Sequence, residues 1–264
     1  MLLAKDGIFP ITRDAVGNPL PQLPASGLQF PGTIQGEGKL VGIPSLFVRL
    51  AGCNLHCCWK TADKRVSPCD TAYAAYHLQE TYTMGPDEIY QTILHNTQSI
   101  QHIVITGGEP LLQAKELKIL CNKLKQNPHF HLTIETNATL FEPEVVQYID
   151  LFSLSPKLKS SQPNTILHTP DPKIIQLFID NAHRYRKDFQ LKFVFSCDAD
   201  ILEIKELLSG LTGWKNEDIL LMPLGGNPEM LRTNIGKTLE YCIRNNWRYC
   251  DRLHISLFGD KAGV

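Results

Sequence analysis

The feature that most limits the fold is an alternation that begins near residue 86 and runs to the end of the chain. DEIYQTILHN reads as a helix, HIVITGG as a strand, and LLQAKELKILCNKLKQN as a helix with an apolar stripe. HLTIETN, LFSLSP, FQLKFVFS and DILLMPLG read as further strands. EPEVVQYI, PKIIQLFIDNAH, ADILEIKELLSGL and residues 228–246 read as the helices between and after them, and WRYCDRLHISLFG reads as a final strand. With the strand PSLFVRLAG ahead of it, this pattern predicts an α/β fold. Helical crossovers would join the strands of a parallel sheet, in a full or partial barrel or an open doubly wound sheet. Both architectures bind ligands at the C-terminal ends of their strands. The unusual residues fall there: Cys53, the Thr106–Glu109 turn, Glu135–Asn137, Ser155–Lys157 and Met222–Leu224.

The first half is less regular. Residues 1–27 carry prolines and glycines without a period and read as an N-terminal extension laid over the surface. Residues 28–264 read as one core domain. QFPGTIQGEGKLVG alternates, with glycines at a turn, and residues 53–85 read as a long irregular insertion. Lysine and arginine number 26 against 27 acidic residues, a formal net charge of −1, so no basic field calls for nucleic acid. No apolar run is long enough to cross a membrane. The opening MLLAKDGIFPITRDAVG lacks the apolar stretch of a secretory signal, and a cytoplasmic protein is expected.

In that compartment clustered cysteines point to metal or redox chemistry. Four of the eight lie in GCNLHCCWKTADKRVSPCDT. The others, Cys121, Cys197, Cys242 and Cys250, read as small core residues. Three residues separate Cys53 from Cys57, and eleven separate Cys57 from Cys69. Thiolates suit iron–sulfur clusters or zinc. On spacing alone, a cluster on three cysteines and a structural zinc on Cys53, Cys57, Cys69 with His56 or Cys58 both stand. In HIVITGGEP the glycines allow close backbone approach and Pro110 suits a first helical turn.

CNLHC followed later by CDT, with TGGEP at the next strand end, resembles the radical S-adenosylmethionine (SAM) superfamily. The resemblance implies a partial (β/α)6-type barrel and a [4Fe–4S] cluster on Cys53, Cys57 and Cys69. Its open iron would chelate SAM, whose reductive cleavage yields a 5′-deoxyadenosyl radical. A nine-residue insertion, roughly 59–67, departs from the family spacing and leaves Cys58 as the alternative to Cys57. Residues implied to contact SAM are Pro68 and Asp70 beside the third cysteine, Gly107, Gly108 and Glu109 in the glycine turn, and Ser155, Pro156 and Lys157.

FPGTIQGEG, IPSLFVRLAGCNL, ITGGEP, IETNAT, LSPK and NWRYCDRLH together resemble the 7-carboxy-7-deazaguanine synthase family within that superfamily. That resemblance implies ring contraction of 6-carboxy-5,6,7,8-tetrahydropterin to 7-carboxy-7-deazaguanine with loss of ammonia. It also implies Mg²⁺ on Thr71, a homodimer, and an electron donor such as flavodoxin or ferredoxin. Ile34, Gln35, Gly36, Glu37, Arg49, Thr106 and His254 are implied to bind the pterin. Gln35 can both donate and accept, and Glu37 can accept from ring N–H groups. Arg49 shares a strand face with Phe47, and pointing inward it would meet the substrate carboxylate. His254 is expected on the last strand. Met222 stands where the family often has glutamine, and the tail FGDKAGV is expected to bring Val264 near the site. Two rival expectations are a glycyl-radical-enzyme activase of the same superfamily and a zinc-stabilised binding protein without catalysis.

Overall fold

A computed structural model describes all residues except 61–65, 163–168 and 260. The chain opens with β1 (Leu2–Phe9), then β2 (Thr33–Ile34) and β3 (Pro44–Leu50). β4 (Cys58–Lys60) and β5 (Val66–Pro68) form a separate hairpin, followed by α1 (Ala72–Ala75) and β6 (Thr81–Thr83). The alternation then runs α2 (Pro86–Thr97), β7 (His102–Gly107), α3 (Ala114–Leu124), β8 (His131–Thr136), α4 (Pro143–Val146) and β9 (Leu151–Leu154). It continues through α5 (Pro172–Tyr185), β10 (Asp188–Phe195), α6 (Asp198–Ser209), β11 (Ile219–Pro223) and α7 (Pro228–Asn245). The two-residue β12 (Arg248–Tyr249) and α8 (Leu253–Phe258) close the chain.

The main sheet runs β12-β11-β10-β9-β8-β7-β3-β1-β6, with β2 paired to β3 off that path. All pairings from β3 to β12 are parallel. Among the described residues, β12 and β6 stand at the two ends of that path. The parallel strands read as nearly unbroken apolar runs because both faces are covered. Leu46, Val48 and Leu50 of β3 join Ile103 and Ile105 of β7 in the large core under the helices. On the opposite face Phe47 packs with Phe9 and Val104. Helix starts follow local chemistry. Asp171 accepts from Lys173 N at 2.9 Å to cap α5, and Asn227 accepts from Met230 N at 2.9 Å to cap α7. Among the described residues no helix is long and apolar enough to cross a membrane.

Three local expectations are corrected. The first part of the expected surface extension is β1, whose Leu3, Ala4, Ile8 and Phe9 are buried; it pairs antiparallel with β3. Its apolar residues are interrupted by Asp6 and Gly7, which masks the strand period. Gly7 takes φ +50° where the β1–β3 register slips between Leu3 and Ile8, a bulge that re-aims side chains. The expected last strand ends at Tyr249, and His254 sits in the first turn of α8. Residues 53–85 are not wholly irregular: they hold the hairpin, α1 and β6. Residues 61–65 of the expected insertion lie outside the described residues.

At the N-terminal end of the sheet, His102 is buried between Ser45 Oγ (2.7 Å from Nδ1) and Thr133 Oγ1 (2.7 Å from Nε2). Burial, with His131 alongside, pushes its imidazole down from 6.5 to about 4. The ring is thus neutral when folded and gains a proton on unfolding below about pH 6.5, so stability present at neutral pH is lost between about pH 6.5 and 4. The loss from this group is expected to reach about 2 kcal/mol at about pH 5. Urea unfolding at neutral pH and near pH 5 checks it; His102→Gln should show a correspondingly smaller acid loss.

Candidate active site

A cavity of about 470 Å³ opens at the C-terminal ends of β3 and β7 through β11, within the size range of small-ligand sites. Its wall includes Ile34, Gln35, Gly36, Glu37, Arg49, Thr106 and His254 of the expected substrate set. It also includes Cys53, Cys57, Cys69 and Thr71, and Pro68, Asp70, Gly107, Gly108, Ser155 and Lys157. Met222 and Val264 line it as well. Two expected residues do not reach the wall. Pro156 lies off it, and Glu109 is fully buried behind it.

Glu109 explains itself by its partners. Its carboxylate accepts from Leu111 N (3.1 Å), Asn137 N (2.8 Å) and Thr136 Oγ1 (2.8 Å). Burial raises its pKa, against the lowering effect of those donors. It therefore shapes the turn at the end of β7 and the end of β8 rather than offering a free carboxylate to a ligand. The glycines before it are required by close approach. Gly107 sits at φ +142°, and a Cβ there would lie 2.0 Å from Leu50 O. A Cβ on Gly108 would lie 2.1 Å from Gly52 O and 3.0 Å from Cys53 Cβ. Gly108 N and Glu109 N donate to Leu50 O (3.1 Å) and Gly52 O (2.8 Å). The glycine turn thus supports the segment that carries Cys53.

Cys57 and Trp59 are buried with Leu55 and Leu224, and Cys53 and Cys69 pack against them. Burial raises the thiol pKa of Cys53 and Cys57 and pushes Cys69 up to about 11, with Asp70 adding to the last. Cys58 lies off the cavity wall, on the strand position that alternates with Cys57. Three soft donors in an apolar recess of one cavity fit an iron–sulfur cluster held on Cys53, Cys57 and Cys69. Among the described residues no three or more His, Cys, Asp or Glu side chains come together as a site for a single metal ion. The zinc arrangement therefore gains no support from the geometry.

The cavity wall also carries a charged network, reaching to Asp70 beside Cys69, that the sequence does not show. Glu37 receives Lys192 Nζ on Oε2 and Arg252 Nε on Oε1, the latter at 2.9 Å. Arg252 also donates from Nη2 to Asp70 Oδ2 and from Nη1 to Gly225 O at 2.6 Å. Burial would raise the Glu37 carboxyl, but Lys192, Arg252 and His254 hold it well below the usual carboxylate range. Each Glu37 oxygen already accepts one cationic donor, so only its remaining lone pairs are left to accept from ring N–H groups. The open polar edge lies beside it. Gln35 Nε2 donates to Glu135 Oε1 (3.2 Å), and Thr106 Oγ1 donates to Glu135 Oε2 (2.8 Å). His254 packs on Gly36, where a Cβ would fall 2.2 Å from its Nδ1.

Arg49 reaches the cavity as expected, but it is not unpaired. Asp6 of the bulged β1 accepts its Nε at 2.8 Å, and its guanidinium lies over the Phe9 ring, 5.0 Å from the centroid. Sequence reasoning gives Lys192 and Arg252 no role, and it places Glu135 and Asn137 at a strand end without assigning them one. A lone lysine in the apolar run FQLKFVF was the available signal, since such strands are covered on both faces.

The model for the Radical SAM superfamily matches residues 48–190, over half the chain, and the chain belongs to that superfamily. A [4Fe–4S] cluster and SAM are its cofactors. A 7-carboxy-7-deazaguanine synthase from Halobacterium salinarum is 33% identical over 254 residues, 91% of this chain and 92% of the relative. The Bacillus cereus enzyme of that name is 32% identical, covering 89% and 96% of the two chains. The crystal structure of QueE from Escherichia coli superposes with a TM-score of 0.62 at 25% identity, covering 94% of this chain and 95% of that one. Within the superfamily, the chain belongs with the 7-carboxy-7-deazaguanine synthases.

Gly108→Ala tests the glycine support. Its methyl meets backbone that can move only by displacing Gly52 and Cys53. Overpacking of this kind costs about 1–3 kcal/mol. A folded protein with a reduced iron content after anaerobic reconstitution is expected; a full complement of iron would refute the role of the turn in placing Cys53.

Proposed function

We propose that this chain is a 7-carboxy-7-deazaguanine synthase that converts 6-carboxy-5,6,7,8-tetrahydropterin to 7-carboxy-7-deazaguanine with release of ammonia. One observation carries the reading. Cys53, Cys57 and Cys69 open onto the same cavity as the 34–37 segment, Arg49 and His254. When bound, the cluster and SAM supply reductive cleavage and hydrogen abstraction. The chain's own residues bind, orient and enclose.

Glycines 107 and 108 let ligand and backbone approach closely beside the cysteines, where SAM would lie, and Ser155 and Lys157 face the same space. Gln35, Glu135 and Thr106 form a donor–acceptor edge suited to the pterin ring. Asp6 fixes the Arg49 guanidinium by its Nε, which leaves the guanidinium oriented on the wall for the substrate carboxylate. Thr71 and Asp70 offer hard oxygens for Mg²⁺ on the same wall. Phe9, Phe47 and Trp59 exclude water from it. A homodimer in the cytoplasm, reduced by a flavodoxin or ferredoxin, completes the reading.

The test is anaerobic turnover of reconstituted protein with SAM, Mg²⁺, a reductant and the carboxy-tetrahydropterin. Product of the deazaguanine mass is expected, and alanine at Cys53, Cys57 or Cys69 should abolish deoxyadenosine formation. Deoxyadenosine without product would overturn the substrate and leave another radical SAM reaction. Arg49→Gln removes a charge-assisted bond of about 1.5–3 kcal/mol, so KM for the pterin should rise about 10- to 100-fold. Cluster iron should stay at its normal level in that variant.

A further inference from the structure

The eleven residues between Cys57 and Cys69 pose a physical problem. Two ligands of one cluster must face each other, yet a longer loop makes that juxtaposition entropically harder. The ladder of the β4–β5 hairpin answers it. Cys58 pairs with Pro68, Trp59 with Ser67 and Lys60 with Val66. One step toward the base, the same register sets Cys57 opposite Cys69, and Cys69 N donates to Cys57 O at 3.0 Å. Facing residues of an antiparallel pair present their side chains on one face, with Cβ atoms about 4.5–5.5 Å apart. Alternation places Trp59 and Ser67 on that face too, and both line the cavity; Pro68, the partner of Cys58 on the other face, also reaches the wall, but Cys58 does not.

Tyr76 pins this base pair from outside the hairpin. Its hydroxyl donates to Cys57 O at 3.0 Å and accepts from Cys69 N at 3.3 Å. Its ring is held by a parallel stack on His56, centroids 4.8 Å apart, and an edge contact with His77 at 4.7 Å. The hydroxyl thus bridges the two cysteine backbones at the point where the insertion leaves and rejoins the loop.

We propose that the inserted segment is a hairpin that restores the facing of two cluster ligands by cross-strand register, and that Tyr76 is the positioning residue that staples its base. This rests on the reading of Cys53, Cys57 and Cys69 as cluster ligands. It makes the length of the hairpin arm unimportant and the integrity of its base decisive.

The experiment compares reconstituted parent protein with four variants: Tyr76→Phe, a double deletion of Lys60 and Val66, and Cys57→Ala beside Cys58→Ala as the ligand control. Iron and sulfide content, the rate of iron loss to a chelator and the electron paramagnetic resonance spectrum of the reduced cluster are the readouts. Tyr76→Phe keeps the ring stack, so the apoprotein should melt as the parent does. Its cluster should lose iron at least about twofold faster, the lower end of what losing even one of its two hydrogen bonds, roughly 0.5–1.5 kcal/mol each, would give, with an altered spectrum. The double deletion removes one facing pair beyond the base and should hold iron as the parent does. Parent-like iron loss and spectrum in Tyr76→Phe would overturn the staple. A folded double-deletion variant without iron would overturn the hairpin. Iron lost in Cys58→Ala but kept in Cys57→Ala would instead remove the ligand reading beneath both.

Discussion

Arg252 ties together three segments that the sheet alone does not join. One side chain, 8% exposed, reaches Glu37 of the segment before β3, Asp70 beside Cys69, and Gly225 after β11. A planar guanidinium suits this task because its donors diverge in one plane with fixed geometry. The intact network contributes little net stability, since desolvation offsets most of the attraction. Removing one partner, however, leaves a buried charge uncompensated at about 3–5 kcal/mol. The network therefore acts on geometry more than on overall stability. It holds the 34–37 segment and the cysteine loop in one relation.

The same logic recurs across the cavity. Asp6 turns Arg49, Glu135 links Gln35 with Thr106, and Glu109 joins the end of β7 to the end of β8. Each carboxylate takes a partner from another segment of the chain, Asp6 through Oδ2 alone, its buried Oδ1 having no partner among the described residues. The cavity is then a set of cross-braced loops rather than loops that merely lie near each other. The glycine turn is the tightest of these points, because backbone meets backbone there with no side chain to yield.

Legibility in the sequence followed the range of the interactions. Parallel strands, the long helices and the strand-end position of the motifs were readable, because burial on both faces produces apolar runs and helix burial produces a 3.6-residue stripe. β1 was not readable, since a bulge at Gly7 and the charge of Asp6 break its alternation. The turn into α8 was misread because RLHISLF is as compatible with a strand as with a helix over so few residues. Glu109 was legible as part of the motif, but not the partners that hold its carboxylate. Its partners Thr136 and Asn137 come from another strand, and no local pattern shows that they take up its oxygens.

By itself the sequence determined the α/β class, a cysteine cluster in which Cys57 and Cys58 both stayed open, a glycine pair at 107 and 108 that permits close backbone approach, and the segments that would gather at one end of the sheet. These follow from periodicity, from the chemistry of thiols and from the steric freedom of one residue type, all of which are local. Only the tertiary structure decided that Arg49 faces Asp6, that Glu37 is taken by Lys192 and Arg252, and that Cys57 rather than Cys58 faces Cys69. Those pairings join residues from about a dozen to more than two hundred positions apart. They depend on strand order, register and the facing of side chains, which the fold as a whole sets.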